Sequence, residues 1–446
     1  MNTRQLRLAL CLLLPALFAG SLRAADDLNA RVSAKTDAEY ASLFEIYKDL
    51  HLHPELSFTE VRTGSLLAKE LRAASYEVTE HVGSLGVVAV LHNGAGPIVL
   101  VRADMDALPV KEATGLPYAC TTTAKDLSGR ESPAMHACGH DAHVTCLIGT
   151  ARVLASMKDK WSGTLVLVGQ HAEEAVGGAR AMLSDGLFTR FPTPNYALAL
   201  HVWADIPAGQ VGYTEGGVCA NVDGIDILVR GVGGHGSKPH TTKDPVVLAA
   251  QIVTELQTIV SRELKPGTPA VVTVGSIHGG TRRNIIGEEV KLELTIRTYS
   301  EAVADRIIAS IKRISENLGR AAGMPEDRLP VVSRAEVRNP VTYNDPPLTR
   351  RVVQSIGAAL GTDKTVPLEP STVGEDFAEF GRTQQHVPIC LFWVGATDPV
   401  KFAEAQASGS GVPSNHSPLF APLPEPTIKT GIRAMSAAVL DLFNRK

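Results

Sequence analysis

The sequence predicts an α/β protein with a smaller α+β domain inserted into it. Three observations predict this. Strand-like and helix-like segments alternate through the first half, the rhythm changes near Asn221 to a βαββα unit, and α/β character returns beyond Pro340. A chain of 446 residues is too long for one ordinary core, so two domains are expected.

The elements follow in order. Residues 1–25 read as a secretory leader outside the fold. Arg4 and Arg7 form a basic start, residues 8–19 are apolar, and small residues at 24 and 25 offer a cleavage point. The alternative is an uncleaved anchor, but the run is short for a membrane span. Cleavage would place the protein in the periplasm of a Gram-negative cell, or outside the cell, and leave no membrane attachment. Residues 37–50 and 59–74 read as helices, and 86–92 and 98–103 as strands. Residues 141–157 read as a helix capped by Asp141, and 164–170 and 196–202 as apolar runs of strand length. In the inserted unit, strands are expected at 222–229, 270–278 and 289–298, with helices at 245–263 and 301–318. The division is therefore 26–218 and 331–446 for the large domain and 219–330 for the insert.

Charge and cysteine content narrow the function. The formal net charge is −4, and losing Arg4, Arg7 and Arg23 with the leader makes it −7. No basic tract or aromatic–basic interleaving is present, which argues against nucleic-acid binding. Beyond the leader remain Cys120, Cys138, Cys146, Cys219 and Cys390, an odd number for an oxidising compartment. Metal ligation would protect one thiolate, and Cys138 is the candidate; the others read as small buried residues.

The chemistry concentrates at sheet edges. Ligands of α/β sheets sit at the carboxyl ends of strands, and Asp104, Asp106, Glu173, Glu174 and His201 fall at or beyond expected strand ends. Cys138 and His140 are two apart, a spacing that suits a turn curling round a cation, and thiolate with imidazole favours zinc-like transition metals over calcium or magnesium. Glu173 and Glu174 are adjacent and so face different ways: one is free to bind metal and the other to face a substrate. His201 and His416, in a Ser-Asn-His-Ser-Pro turn, complete an inventory of ligands plus one spare carboxylate. Each alone is ambiguous, since paired glutamates are common at solvated helix starts. Together they describe a metal site that activates water, and hence a hydrolase.

RADMDAL (102–108), MHACGHDAH (135–143), HAEE (171–174), LHVW (200–203), GHGSKPH (234–240), GGTRRNII (279–286), GEDF (374–377) and NHSP (415–418) resemble the aminoacylase/carboxypeptidase-G-like metallopeptidases. Their amidohydrolase branch, with hippurate and auxin-conjugate hydrolases, is the most similar, and the resemblance runs from about residue 51 to 435. It implies a zinc-dependent-exopeptidase-like catalytic domain with an inserted ferredoxin-like lid, through which the family dimerises. It implies Cys138, His140, Glu174, His201 and His416 as ligands of two divalent metal ions per subunit, drawn from zinc, manganese, cobalt or nickel. Glu173 would be the general base and Asp106 would orient a ligand, with Asp104 less firmly placed. His235 would be a lid histidine that reaches the partner subunit's site and stabilises the oxyanion, and Asn284 and Arg297 would hold the substrate carboxylate. The expected substrate is an N-acyl or aromatic-acyl amino acid. A dipeptidase or carboxypeptidase of the same fold is the alternative, and a non-catalytic small-ligand binding protein the competitor of another class. One segment departs from the family pattern: residues 120–134, CTTTAKDLSGRESPA, are longer than the usual link before MHACGH. They form either a surface insertion or part of the pocket wall.

Overall fold

The computed structural model describes residues 3–335 and 338–444, with side chains from Asp27 onward. The chain divides into two units. The first comprises Met1–Gly216, Asn344–Leu368 and Glu379–Lys446; the second comprises Gly217–Tyr343 and Glu369–Ala378.

The first unit is built on an eight-stranded mixed sheet. Its order is Glu77–Val82, Gly86–Asn93, Gly163–Gln170, Ile98–Asp104, Tyr196–Pro207, Ile389–Thr397, Val211–Tyr213 and Thr365–Pro367. The four central strands, from Gly163–Gln170 to Ile389–Thr397, run parallel. They read as apolar runs because both faces are buried. The helix His140–Ala155 packs against Thr3–Leu52 and Pro424–Asn444, and Trp161 stacks on Phe443 at 4.6 Å. The helix expected over 37–50 is the end of Thr3–Leu52. Val32, Thr36, Leu43, Tyr47 and Leu50 lie along one buried stripe, so the segment before residue 37 continues the same face. The leader expected over 1–25 falls on residues whose side chains lie outside those described. Among the described residues no helix is long and apolar enough to cross a membrane.

The second unit is a four-stranded antiparallel sheet in the order Ala270–Gly279, Glu289–Thr298, Asn221–Arg230, Val331–Arg334. Asn221–Arg230 alternates buried and half-buried positions. Its Ile225, Ile227 and Val229 pack with Leu292, Leu294 and Ile296 against Ile252, Leu256, Ile307 and Ile311 of the two helices Pro245–Thr258 and Glu301–Ala321. Pro245 occupies the first turn of its helix, where Asp244 accepts the Val246 N–H at 2.9 Å. The strand Val331–Arg334 lies beyond residue 330 yet pairs with Asn221–Arg230, so this sheet includes residues assigned to the larger domain from sequence. It turns the expected βαββα unit into βαββαβ, the ferredoxin-like arrangement.

Candidate metal centre

Four separated segments of the first unit bring the metal-ligand candidates together. The helix that carries His140 starts one residue earlier than the sequence suggested. Gly139 caps it in the left-handed region, at φ 80°, where a Cβ would meet Val202 at 2.4 Å. Asp141 is therefore not the cap; its carboxylate accepts from His51 Nδ1 at 2.7 Å. Glu173 and Glu174 follow the central strand Gly163–Gln170 in a tight loop flanked by Ala172 at φ 51° and Val176 at φ 55°. His416 is also left-handed, at φ 70°, and its N–H donates to the Ala137 carbonyl at 2.8 Å. Non-glycine residues held in this region cluster at functional sites. His201 does not end its strand, which continues to Pro207. The neighbouring strand pairs with it only as far as Ala199, opposite Arg102, so His201 lies just past the end of that ladder.

The donor atoms converge. Cys138 Sγ lies 3.5 Å from His201 Nε2 and 3.3 Å from His416 Nε2, and His416 Nε2 is 3.3 Å from Glu174 Oε1. Glu174 Oε1 is 4.0 Å from His140 Nε2. Donor atoms of Cys138, Glu174 and His416 lie within 4.8 Å of one another, and so do those of His140, Glu173 and Glu174. The two rings His140 and His201 are oriented alike. His140 Nδ1 donates to the Asp106 carbonyl at 2.7 Å, and His201 Nδ1 to the Val202 carbonyl at 2.7 Å. Each thus presents Nε2 to the cluster, the tautomer a metal ligand needs. His140 Nε2 is buried without a hydrogen-bond partner.

The charges fit the same reading. Burial would hold His140 neutral, yet Asp104, Asp106 and Glu174 raise its pKa to about 10. Burial, followed by Glu174, Glu173 and Asp104, pushes the Cys138 thiol well up. Burial and the neighbouring His143 hold His201 well below the ordinary imidazole range. Protons thus balance an excess of carboxylate here, and a divalent cation satisfies that charge while releasing them. His143 lies in the same cluster but does not fit as a ligand. Its Nδ1 donates to Asp104, and its Nε2 accepts the Val202 N–H at 2.8 Å, so both nitrogens are engaged.

A buried frame fixes these groups. Asp106 does more than orient a ligand: Oδ1 accepts the Glu173 N–H at 3.1 Å, Oδ2 accepts the Glu174 N–H at 3.0 Å, and Ser57 donates to it at 2.6 Å. Burial would raise its pKa, but the bonds from His140, Ser57 and Glu174 lower it. Asp104 is fully buried and pairs with Arg102 at 2.6 Å, and Arg102 in turn donates to Gln170 at 2.9 Å. Glu60 accepts the Ala172 N–H at 2.7 Å; burial, aided by Asp106, pushes its carboxyl up to about 8. His51 bridges Asp141 and Glu112, and these two bonds outweigh burial to raise it to about 10. Ser57, Glu60, His51 and Glu112 were not found from sequence, because each lies far along the chain from the motif it supports.

The remaining candidates belong to the second unit. His235 is exposed, pairs with Ile285, and its Nδ1 accepts from the Ser237 N–H at 3.1 Å. Asn284 is exposed beside it, its carbonyl accepting the Gly236 N–H at 2.9 Å. Arg297 is half-buried on Glu289–Thr298 and donates to the Thr372 carbonyl at 3.2 Å. Cys120, Cys138, Cys146, Cys219 and Cys390 are all buried, and no disulfide joins them.

The sequence profile of peptidase family M20/M25/M40 matches residues 100–439. The chain belongs to that family. It is 33% identical over 361 residues to an N-acetylcysteine deacetylase of Bacillus subtilis, covering 80% of this chain and 89% of the relative. It is 36% identical over 305 residues to a hippurate hydrolase of Campylobacter jejuni, covering 68% of this chain and 74% of that one. Among solved structures it resembles the Bacillus subtilis YXEP protein, a dinuclear metal-binding peptidase from the M20 family. The TM-score is 0.75 at 27% identity, with 92% of this chain and 100% of that chain covered. This M20/M25/M40 member is thus a hydrolase of amide bonds, and its Cys/His/Glu cluster, buried at Cys138 and His140 and open at His416, is its candidate metal site.

Proposed function

We propose that the protein is an exported amidohydrolase that removes the acyl group from N-acyl amino acids, with Glu173 as general base. The observation that carries this is the convergence of Cys138, His140, Glu174, His201 and His416 beside Glu173. These five residues would hold two divalent cations, with zinc, manganese, cobalt and nickel all suited to mixed thiolate, imidazole and carboxylate ligands. When bound, such a pair lowers the pKa of water and polarises the scissile carbonyl. Glu173 takes the proton of the attacking water on its carboxylate and returns it to the departing nitrogen. Asp106 holds the backbone of Glu173 and Glu174, so base and ligand keep a fixed relation. We assign the oxyanion to His235 of the partner subunit, and the substrate carboxylate to Asn284 and Arg297, the latter for its two-pronged geometry. The relatives' names, a deacetylase and a hippurate hydrolase, support blocked amino acids as the substrate class. Exposed Val271 and Ile277 on the edge strand Ala270–Gly279 support a homodimer formed through the lid. Export rests on Arg4, Arg7 and the apolar run 8–19.

The test is turnover by metal-stripped protein reloaded with manganese, zinc, cobalt or nickel. The substrates are N-acetyl amino acids, N-benzoyl amino acids and unblocked dipeptides. Preference for blocked substrates, abolished by chelation and restored by metal, is the expected result. Preference for free dipeptides would make the protein a dipeptidase, and no turnover with any metal would overturn the proposal.

A further inference from the structure

Residues 120–134 are neither a shapeless loop nor remote from the metal centre. Thr123–Lys125 pairs antiparallel with Glu131–Pro133, in the register Ala124 opposite Ser132. Asp126 organises the turn: its carboxylate accepts the Ser128 N–H at 2.9 Å and the Arg130 N–H at 3.0 Å, and Gly129 takes the left-handed position at φ 79°. Both ends of the segment are fastened to the frame of the metal centre. At the start, the Cys120 N–H donates at 2.6 Å to Glu112, the carboxylate that also binds His51. At the exit, Leu108 and Met135 exchange two backbone hydrogen bonds of 3.0 Å.

The hairpin forms one side of a cavity of about 380 Å³. Leu127, Arg130 and Ser132 of the hairpin line it together with Phe58, Leu108 and Glu174. Since Glu174 belongs to the metal cluster, the cavity adjoins the centre where the amide would be cut. Its one cation is balanced within the hairpin, with Arg130 Nε 3.3 Å from Asp126 Oδ2. Asp126 thereby offsets the one lining charge that would attract a free carboxylate. The volume lies in the range of small-molecule sites. An acetyl methyl is about the size of one water (~30 Å³) and would leave almost all of it wet. Leu127, at the tip, is 72% exposed, an apolar side chain for which an apolar ligand would provide cover.

We propose that this hairpin is the specificity-determining wall of the acyl site, and that the cavity takes an uncharged apolar acyl group larger than acetyl. A benzoyl-type ring or a branched alkyl chain would seat between Leu127 and the Phe58–Leu108 wall, with the amide toward Glu174. The proposal rests on the amidohydrolase reading and adds to it the substrate's acyl class.

The experiment compares kcat/KM for N-benzoyl and N-acetyl forms of the same amino acid, using metal-loaded full-length protein. The variants are Leu127→Ala, Leu127→Asp and a hairpin shortened by replacing residues 125–131 with two glycines. Wild type should favour the benzoyl substrate. The benzoyl-to-acetyl ratio should fall about fivefold or more in Leu127→Asp and about tenfold or more in the shortened protein, as expected for a lost apolar contact in a pocket. The single substitutions sit at an exposed tip and keep the test open if the shortened chain does not fold. A ratio within twofold of wild type in folded, metal-loaded variants would overturn the hairpin's role while leaving the amidohydrolase reading intact. A wild type that hydrolyses neither substrate would overturn both.

Discussion

The Glu173–Glu174 loop and the 123–133 hairpin lie close to the same centre but are built in opposite ways. The glutamate loop buries Glu173, is bounded by two left-handed non-glycine residues, and is held by carboxylates from distant segments. The hairpin is largely exposed and held chiefly by its own turn, with external fastening confined to its ends. Chemistry that depends on positioning within fractions of an ångström needs support from many directions. A wall that only has to fit a shape needs far less. On the roles proposed above, the contrast teaches that reaction and selectivity would be set by separately supported parts of the first unit.

Three substitutions bear on this contrast. Glu173→Gln should lower kcat by about 10²–10⁴ while the metal-to-protein ratio, measured by elemental analysis, stays at the wild-type value. Near-normal turnover would remove Glu173 from the base role. Asp106→Asn replaces one acceptor with an amide NH₂ that opposes a backbone N–H. A loss of about 10–100-fold in kcat/KM is expected for both acyl substrates, with their ratio unchanged. A changed ratio would mean that the rigid loop also selects the acyl group, and the division of labour would fail. The smallest effect concerns stability. Glu60 titrates at about 8 in the folded protein, against 4.5 for the ordinary carboxyl. Between those values folding retains a proton that the unfolded chain has released, so Glu60 costs stability as pH rises from 4.5 to 8. Glu60→Gln should therefore raise stability relative to wild type at pH 9, by a few kcal/mol, and leave it nearly unchanged at pH 4. Denaturant melts at the two pH values measure this, and an equal shift at both would point to packing instead.

The central strands were legible in the sequence because buried parallel strands are unbroken apolar runs, and their ends marked where candidate side chains would converge. Glu173 and Glu174 were placed that way. His201 was read as a strand end, because nothing in LHVWADIP marks where its neighbour stops pairing. The hairpin was not legible: three-residue strands carry no usable period, and TAK and ESP read as polar loop. Val331–Arg334 escaped for the same reason, since four residues after a Gly/Pro-rich stretch resemble its tail. Asp141 has the composition of a helix cap but binds His51, which lies 90 residues away and could not be paired with it from spacing.

The clasp of Asp106 on two successive amides has a consequence for inheritance. A substitution at either glutamate pulls on a peptide whose neighbour is held by the same carboxylate, so the effects of changing both should not multiply. On the roles proposed for Glu174 and Glu173, cation affinity and proton transfer would thereby be tied into one heritable trait. With the hairpin as the acyl-site wall, new substrates would be reached more readily by exchanging a surface ribbon than by retuning the acids.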